Sequence, residues 1–212
     1  MTSIKHYNKK YFNYQREVGE FGAIANRTKF QKLIEPHFKV LDFGCGGGYM
    51  LNTFNCKKYG VEPNGVAAKI AQAKNVKIYK NTKKLPKNFF DLIISNNALE
   101  HVDNPLIELK LLYNSLKKGG KICLVVPCDN VNFCYQKNDI NFHLYSWSPM
   151  NLGNLLTASK FNVIESKPYI HKWPPYYRYI KKVVGWNIFH LICKIYGRIN
   201  IKWSQTRAIG VK

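Results

Sequence analysis

Acidic side chains are scarce. Twelve Asp and Glu stand against thirty-three Lys and Arg in 212 residues, a formal net charge of +21. A field of that sign attracts nucleic acid, anionic lipid or phosphorylated substrates, and it says nothing about fold. An AT-rich genome, generous with Lys and Asn codons, produces the same surplus, so charge alone selects no partner. Six cysteines (Cys45, Cys56, Cys123, Cys128, Cys134 and Cys193) form no CxxC pair, which argues against structural zinc and reads as reduced thiols; no metal is expected. The start, MTSIKHYNKK, has neither the apolar stretch nor the small-residue cleavage site of an exported chain. The longest greasy run, Val183 to Tyr196, is broken by Gly185, Asn187, His190 and Lys194, whereas a spanning helix takes about 20 mainly apolar residues. The expected location is therefore cytoplasmic, peripheral to the inner membrane face at most. No repeat or low-complexity tract occurs. The 46% hydrophobic and 14% aromatic content excludes disorder and a staple-dependent mini-protein.

Strand and helix patterns alternate. Val40, Leu41 and Phe43 run into Gly44, Gly46, Gly47 and Gly48, giving a buried strand, a turn and then a helix in YMLNTF. Lys58 to Glu62, Val76 to Tyr79 and Phe89 to Ser95 repeat the strand pattern, with a helix over Val66 to Lys74. Asn104 as N-cap and Pro105 at the first helical position open a helix whose Leu106, Leu109, Leu112 and Leu116 share one face, with Gly119 past its end. Lys121 to Val126 is a fifth strand stopped by Pro127, Ser148-Pro149 starts another helix, and Phe161 to Glu165 and Thr206 to Val211 are the last strands. The pattern predicts a single α/β domain over residues 1–212: a Rossmann-like, doubly wound, mostly parallel seven-stranded sheet with helices on both faces. Residues 1–35, with a helix from Gly22 to before Pro36, form a lid; 36–166 form the ligand-binding core; 167–204 form an aromatic and basic insert; and 205–212 the last strand.

The glycine turn brings backbone N–H groups and a helix N-terminus against a ligand. Counted from Gly44, the sixth position is Tyr49 rather than glycine, which weakens a nicotinamide or flavin reading, while Gly44, Gly46 and Gly48 fit G-x-G-x-G. Glu62, at the end of the second strand, is placed to accept both hydroxyl protons of a ribose. VLDFGCGGG, YGVEPN, FFDLIISNNALEHVDNP and LKKGGKICLVVP, in this order, resemble the successive motifs of class I S-adenosylmethionine-dependent methyltransferases. The segment His143 to Ile164 is similar to one found in bacterial members that act on small molecules or on saccharide and lipid intermediates. The resemblance implies S-adenosylmethionine as cofactor, with Asp42, Gly44, Cys45 and Gly46 at the turn and Glu62 and Pro63 at the ribose. It implies Asn81 and Thr82 near the adenine, where many members have an aspartate in place of Asn81, and Asn96 and Asn97 at the end of the fourth strand. It also implies an antiparallel last strand.

Methyl transfer to a hydroxyl needs in-line positioning and a base. His101 is the first candidate base, its alternative role being a capping or packing histidine beside Asp103. His143 is the second, either as base, as a residue orienting the acceptor, or as a loop histidine bonded to backbone. Tyr11, Tyr14 and Gln15 are candidate lid residues. The expected activity is methyl transfer to an oxygen of a small-molecule, saccharide or lipid-linked acceptor, with RNA methylation and a non-catalytic cofactor-binding scaffold as alternatives. Nucleic acid is the weaker partner, because no separable RNA-binding module is present. The insert, with eight Lys and Arg and no acidic residue between Lys167 and Ser204, suits an anionic membrane surface, a lipid-linked sugar or a partner subunit, or else folds over the sheet edge as a helical hairpin.

Overall fold

The computed structural model describes residues 19–130, 132–137, 139–200 and 203–212. Helix α1 covers residues 19–26 and is followed by 3-10 turns at Arg27–Lys29 and Gln31–Leu33. The single helix expected up to Pro36 is thus cut short: Phe30 leaves helical geometry at φ −125° and is fully buried in the core. Next come β1 (Lys39–Phe43), α2 (Tyr49–Asn52), β2 (Lys57–Val61), α3 (Gly65–Gln72), β3 (Lys77–Tyr79) and β4 (Phe90–Asn96). The chain continues through α4 (Pro105–Ser115), β5 (Leu116–Asp129), α5 (Pro149–Ala158), β6 (Asn162–Tyr169), α6 (Tyr177–Ile199) and β7 (Trp203–Val211).

The strands form one seven-stranded sheet in the order β3-β2-β1-β4-β5-β7-β6. Pairings among β1 to β5 are parallel, and β7 runs antiparallel to both β5 and β6. Successive strand residues face opposite layers. Leu41, Ile93 and Leu124 pack with Leu109 and Leu112 of α4 and Leu152 and Leu156 of α5. Val40, Leu92, Ile94 and Cys123 pack with Phe30, Leu51 of α2 and Ala71 of α3. Burying both faces of the central strands explains why their sequences are continuous apolar runs rather than alternating ones.

Helix starts follow their caps. Asn64 Oδ1 accepts from the amides of Val66 (2.9 Å) and Ala67 (3.1 Å), Asn104 Oδ1 from Ile107 (3.1 Å), and Ser148 Oγ from Asn151 (3.2 Å). Two stops expected from the sequence differ. Helix α4 ends at Ser115, and Gly119 lies inside β5, because Leu116 already pairs with Phe90 of β4. Pro127 does not stop β5, which continues to Asp129 against β7. Strand β4 ends at Asn96, opposite Val125, so beyond that point no β4 neighbour needs an amide donor from β5. The insert is also shorter than expected at both ends, since β6 runs to Tyr169 and β7 begins at Trp203. Between them α6 is two helical segments joined at Gly185 (φ 72°, ψ 179°), and the Phe21 ring touches both, at Tyr177 in the first and at Trp186 and Phe189 in the second.

Candidate active site

From β1 the chain winds outward through β2 to β3 and then returns to β4 on the other side of β1, so a crevice opens at the carboxyl ends of β1 and β4. The glycine turn fills that crevice's floor. A Cβ on Gly44 (φ +77°) would stand 2.4 Å from the Ala98 Cβ, so only glycine lets the turn pass under the loop after β4. A Cβ on Gly46 (φ +52°) would meet nothing within 4 Å, which leaves its backbone open to a ligand. The amides of Gly44 and Cys45 donate to the Val61 carbonyl at 3.0 and 3.2 Å, tying the turn to β2.

Glu62 completes this half. Its Oε2 accepts from the Gly46 amide at 2.9 Å and its Oε1 from the Asn64 amide at 2.8 Å. A carboxylate keeps lone pairs beyond those two bonds, enough for the two hydroxyls of a ribose. Burial raises the Glu62 pKa despite both amides. Burial, and then the nearby charge of Glu62, raises that of Asp42 well above the ordinary carboxylate range. Burial also pushes the Cys45 thiol up, which makes it a wall of the site and not a nucleophile. Thr82 Oγ1 donates to Glu108 Oε2 at 2.5 Å, anchoring the turn that begins at Asn81.

One cleft of about 1390 Å³ takes in Asp42, Gly44, Cys45, Gly46, Glu62, Pro63, Asn81, Thr82, Asn96, Asn97, His101 and His143, every site residue expected from the sequence. It exceeds the usual range of about 300–1,000 Å³ for a small-molecule site and has room for a nucleoside and a second reactant. Helix α1 supplies another wall through Gly22, Ala23 and Asn26. Tyr11, Tyr14 and Gln15, the expected lid residues, lie outside the described residues.

The turn after β4 meets the loop after β5 on the same cleft. The Leu144 amide donates to the Glu100 carbonyl at 2.9 Å, and the rings of His101 and His143 lie 5.1 Å apart. Both imidazoles approach one carboxyl: Glu100 Oε1 is 3.8 Å from His101 Nε2 and 4.0 Å from His143 Nε2. Glu100 is fully buried, and neither side-chain oxygen has a hydrogen-bond partner among the described residues. Burial pushes its pKa up to about 8, so it is a neutral acid at pH 7. Burial lowers the His143 pKa, which keeps that imidazole unprotonated. One ligand atom from each of Glu100, His101 and His143 lies within 4.8 Å of the others. Gripping an ion at about 2.0–2.2 Å would require this set to close by about half an ångström.

Sequence reasoning missed Lys29 and Gln205. Lys29 is buried and donates to Asn96 Oδ1 (2.7 Å) and Gln205 Oε1 (2.8 Å), and Gln205 Nε2 donates to Asn97 Oδ1 (2.7 Å). This chain of bonds fixes the two asparagines at the end of β4. Burial lowers the Lys29 pKa to about 7, and Glu100, once ionised, acts in the opposite direction.

The buried acid makes stability depend on pH. Between the ordinary value of 4.5 and about 8, the unfolded chain gives up this proton and the folded chain keeps it, so stability falls as pH rises through the window. Glu100→Gln removes that loss. Above about pH 8 its unfolding free energy is expected to exceed that of the wild type by roughly 5 kcal/mol at most, with a correspondingly higher melting temperature, and the two should match near pH 4. Equal pH profiles in the two proteins would contradict a neutral Glu100.

A family model for a methyltransferase domain matches residues 9–166. The chain belongs to this methyltransferase family. S-adenosylmethionine is accordingly the methyl donor of the enzyme, and the open Gly46 backbone and the Glu62 carboxylate fit its nucleoside. The methyltransferase is 26% identical to phosphoethanolamine N-methyltransferase 3 of Arabidopsis thaliana over 147 residues, 60% of this chain and 30% of that protein. It is 34% identical over 92 residues to an uncharacterized protein of Methanocaldococcus jannaschii, covering 42% of this chain and 44% of that one. The chain therefore spans under half the length of either relative. Its fold matches that of a SAM-dependent methyltransferase of Thermotoga maritima, a possible histamine N-methyltransferase, with a TM-score of 0.69 over 99% of this chain and 98% of that chain at 19% identity.

Proposed function

We propose that this methyltransferase acts on a hydroxyl of a small saccharide or saccharide-like acceptor bearing an anionic group. The observation that carries the reading is the convergence of His101 and His143 on the cleft beside Glu100. S-adenosylmethionine supplies a methyl group already activated by its positive sulfur. What the protein adds is orientation of the acceptor and an unprotonated imidazole to take the hydroxyl proton as the oxygen becomes nucleophilic. His143 meets that requirement through burial, and Glu100, tied by its carbonyl to Leu144, holds the loop that presents it. Lys29 and Lys172 line the same cleft and suit a carboxylate or phosphate on the acceptor, while Trp173 offers an apolar face for a ring.

A second reading is favoured by the resemblance to plant phosphoethanolamine N-methyltransferases. In that case the same imidazole strips a proton from an ammonium group and Lys29 and Lys172 receive the phosphate. The deciding experiment supplies methyl-labelled S-adenosylmethionine with three acceptor sets: nucleotide sugars and glycolipid fragments, phosphoethanolamine, and bulk tRNA. Label recovered as a methyl ether on a sugar is the expected result. Label on the amine alone establishes the second reading, and label on tRNA alone overturns both.

A further inference from the structure

We propose that helix α6 is a docking element for an anionic bilayer surface and lies in the interface with its outer face against lipid. The helix is two segments joined at Gly185. In the second, Phe189, Cys193 and Gly197 recur every four residues and are buried against the body of the protein. A Cβ on Gly197 would come within 3.0 Å of Ile170, so this face is seated closely. The other face is apolar too. Ile188, Leu191, Ile195 and Ile199, spaced three, four and four residues apart, are 49% to 79% exposed. In the first segment Tyr179 and Val183, four apart, are 70% and 64% exposed. A helix whose outer face is turned to water carries polar residues there; a row of large apolar side chains on both segments marks a contact surface.

Charge selects what covers it. Arg178 and Lys182 flank the first row, and Lys194 and Arg198 the second, all exposed. Not one acidic residue occurs between Lys167 and Ser204. A second copy of the chain would bring the same cations to the contact and repel, whereas an anionic lipid surface satisfies the cations and takes up the apolar row together. No helix among the described residues is long and apolar enough to cross a membrane, so the contact is one of lying on the surface. The helix is also joined to the cleft. Trp173, on the cleft wall, packs against Tyr177 of α6 with ring centroids 5.0 Å apart, and Phe21 of α1 sits against Trp173, Tyr177, Trp186 and Phe189. Docking would thus place the wall formed by Lys172 and Trp173 next to the lipid. The inference does not depend on which acceptor the enzyme methylates.

The test is co-sedimentation of the full chain with vesicles of phosphatidylcholine alone and of phosphatidylcholine mixed equally with phosphatidylglycerol. The expected result is at least about tenfold tighter binding to the mixed vesicles, weakened by salt. The triple variant Ile188→Ser, Leu191→Ser, Ile195→Ser is expected to lose at least about tenfold of that binding while keeping its affinity for S-adenosylhomocysteine in calorimetry, which shows that it is folded. Lys182→Glu with Lys194→Glu should do the same on mixed vesicles only. The proposal is overturned if the wild type ignores phosphatidylglycerol or if the triple variant binds as well as the wild type. It is equally overturned if sedimentation shows a dimer that the triple variant dissolves without any vesicle binding.

Discussion

Glu62→Ala is expected to weaken binding of S-adenosylmethionine and S-adenosylhomocysteine by about 100-fold or more, read by calorimetry on folded protein. The side chain has two tasks in one place. It holds the Gly46 amide at 2.9 Å and the Asn64 amide at 2.8 Å, so the glycine turn and the segment after β2 keep their spacing, and its remaining lone pairs receive the ribose. Hydrogen bonds to a charged group are worth about 1.5–3 kcal/mol each. Loss of the ribose contacts alone therefore accounts for the expected factor of about 100, or about 2.7 kcal/mol. Glu62→Gln retains one acceptor oxygen but turns an NH2 toward an amide donor, and should fall between the two. The fold is expected to survive, because burial already disfavours the Glu62 charge and the alanine protein is relieved of it. The raised pKa also sets a pH trend. Donor affinity in the wild type should decline on acidification at a higher pH than an ordinary glutamate would give, since the ionised carboxylate is the form that accepts two hydroxyls. Unchanged affinity in Glu62→Ala would remove the assigned cofactor site.

The donor half of the cleft is legible in sequence because it is nearly local. Asp42 to Gly48 and Glu62 to Asn64 are two short segments at the ends of adjacent strands, and the order of strand, glycine turn and helix dictates that they meet. The strand alternation likewise fixes the parallel sheet, since a fully buried strand must be apolar on both faces. What lies beyond is carried by long-range contacts that leave no local pattern. Lys29 is one lysine among many until Gln205, 176 residues later, is seen to hold it. Nor does anything in Glu100 or His143 announce that a single bond from Leu144 brings them together. Pro127 misleads for the same reason: whether proline ends a strand depends on what the neighbour needs, and β4 has already stopped. The break between the two segments of α6 turns on Gly185, whose positive φ leaves the helical path.

Removing both imidazoles, in His101→Ala with His143→Ala, should lower kcat by about 10²–10⁴-fold, the range that positioned general bases contribute, with donor affinity unchanged. The single variants assign the role. If His143 is the base, His143→Ala alone gives most of the loss; if the two substitute for each other, each single variant loses less than the double. The pH dependence separates a base from a packing residue. Burial lowers the His143 pKa, so the unprotonated form persists to lower pH than for a free imidazole, and the acid limb of kcat should fall below the ordinary value of about 6.5. At the alkaline side Glu100 enters. When it ionises near pH 8, a negative charge appears 4.0 Å from His143, which raises the basicity of that ring and should produce a second inflection in the rate. In Glu100→Gln that inflection should be absent while the acid limb remains. A double variant with wild-type kcat, or an acid limb that Ala at both positions leaves in place, would take proton removal away from these histidines and return them to holding the loops.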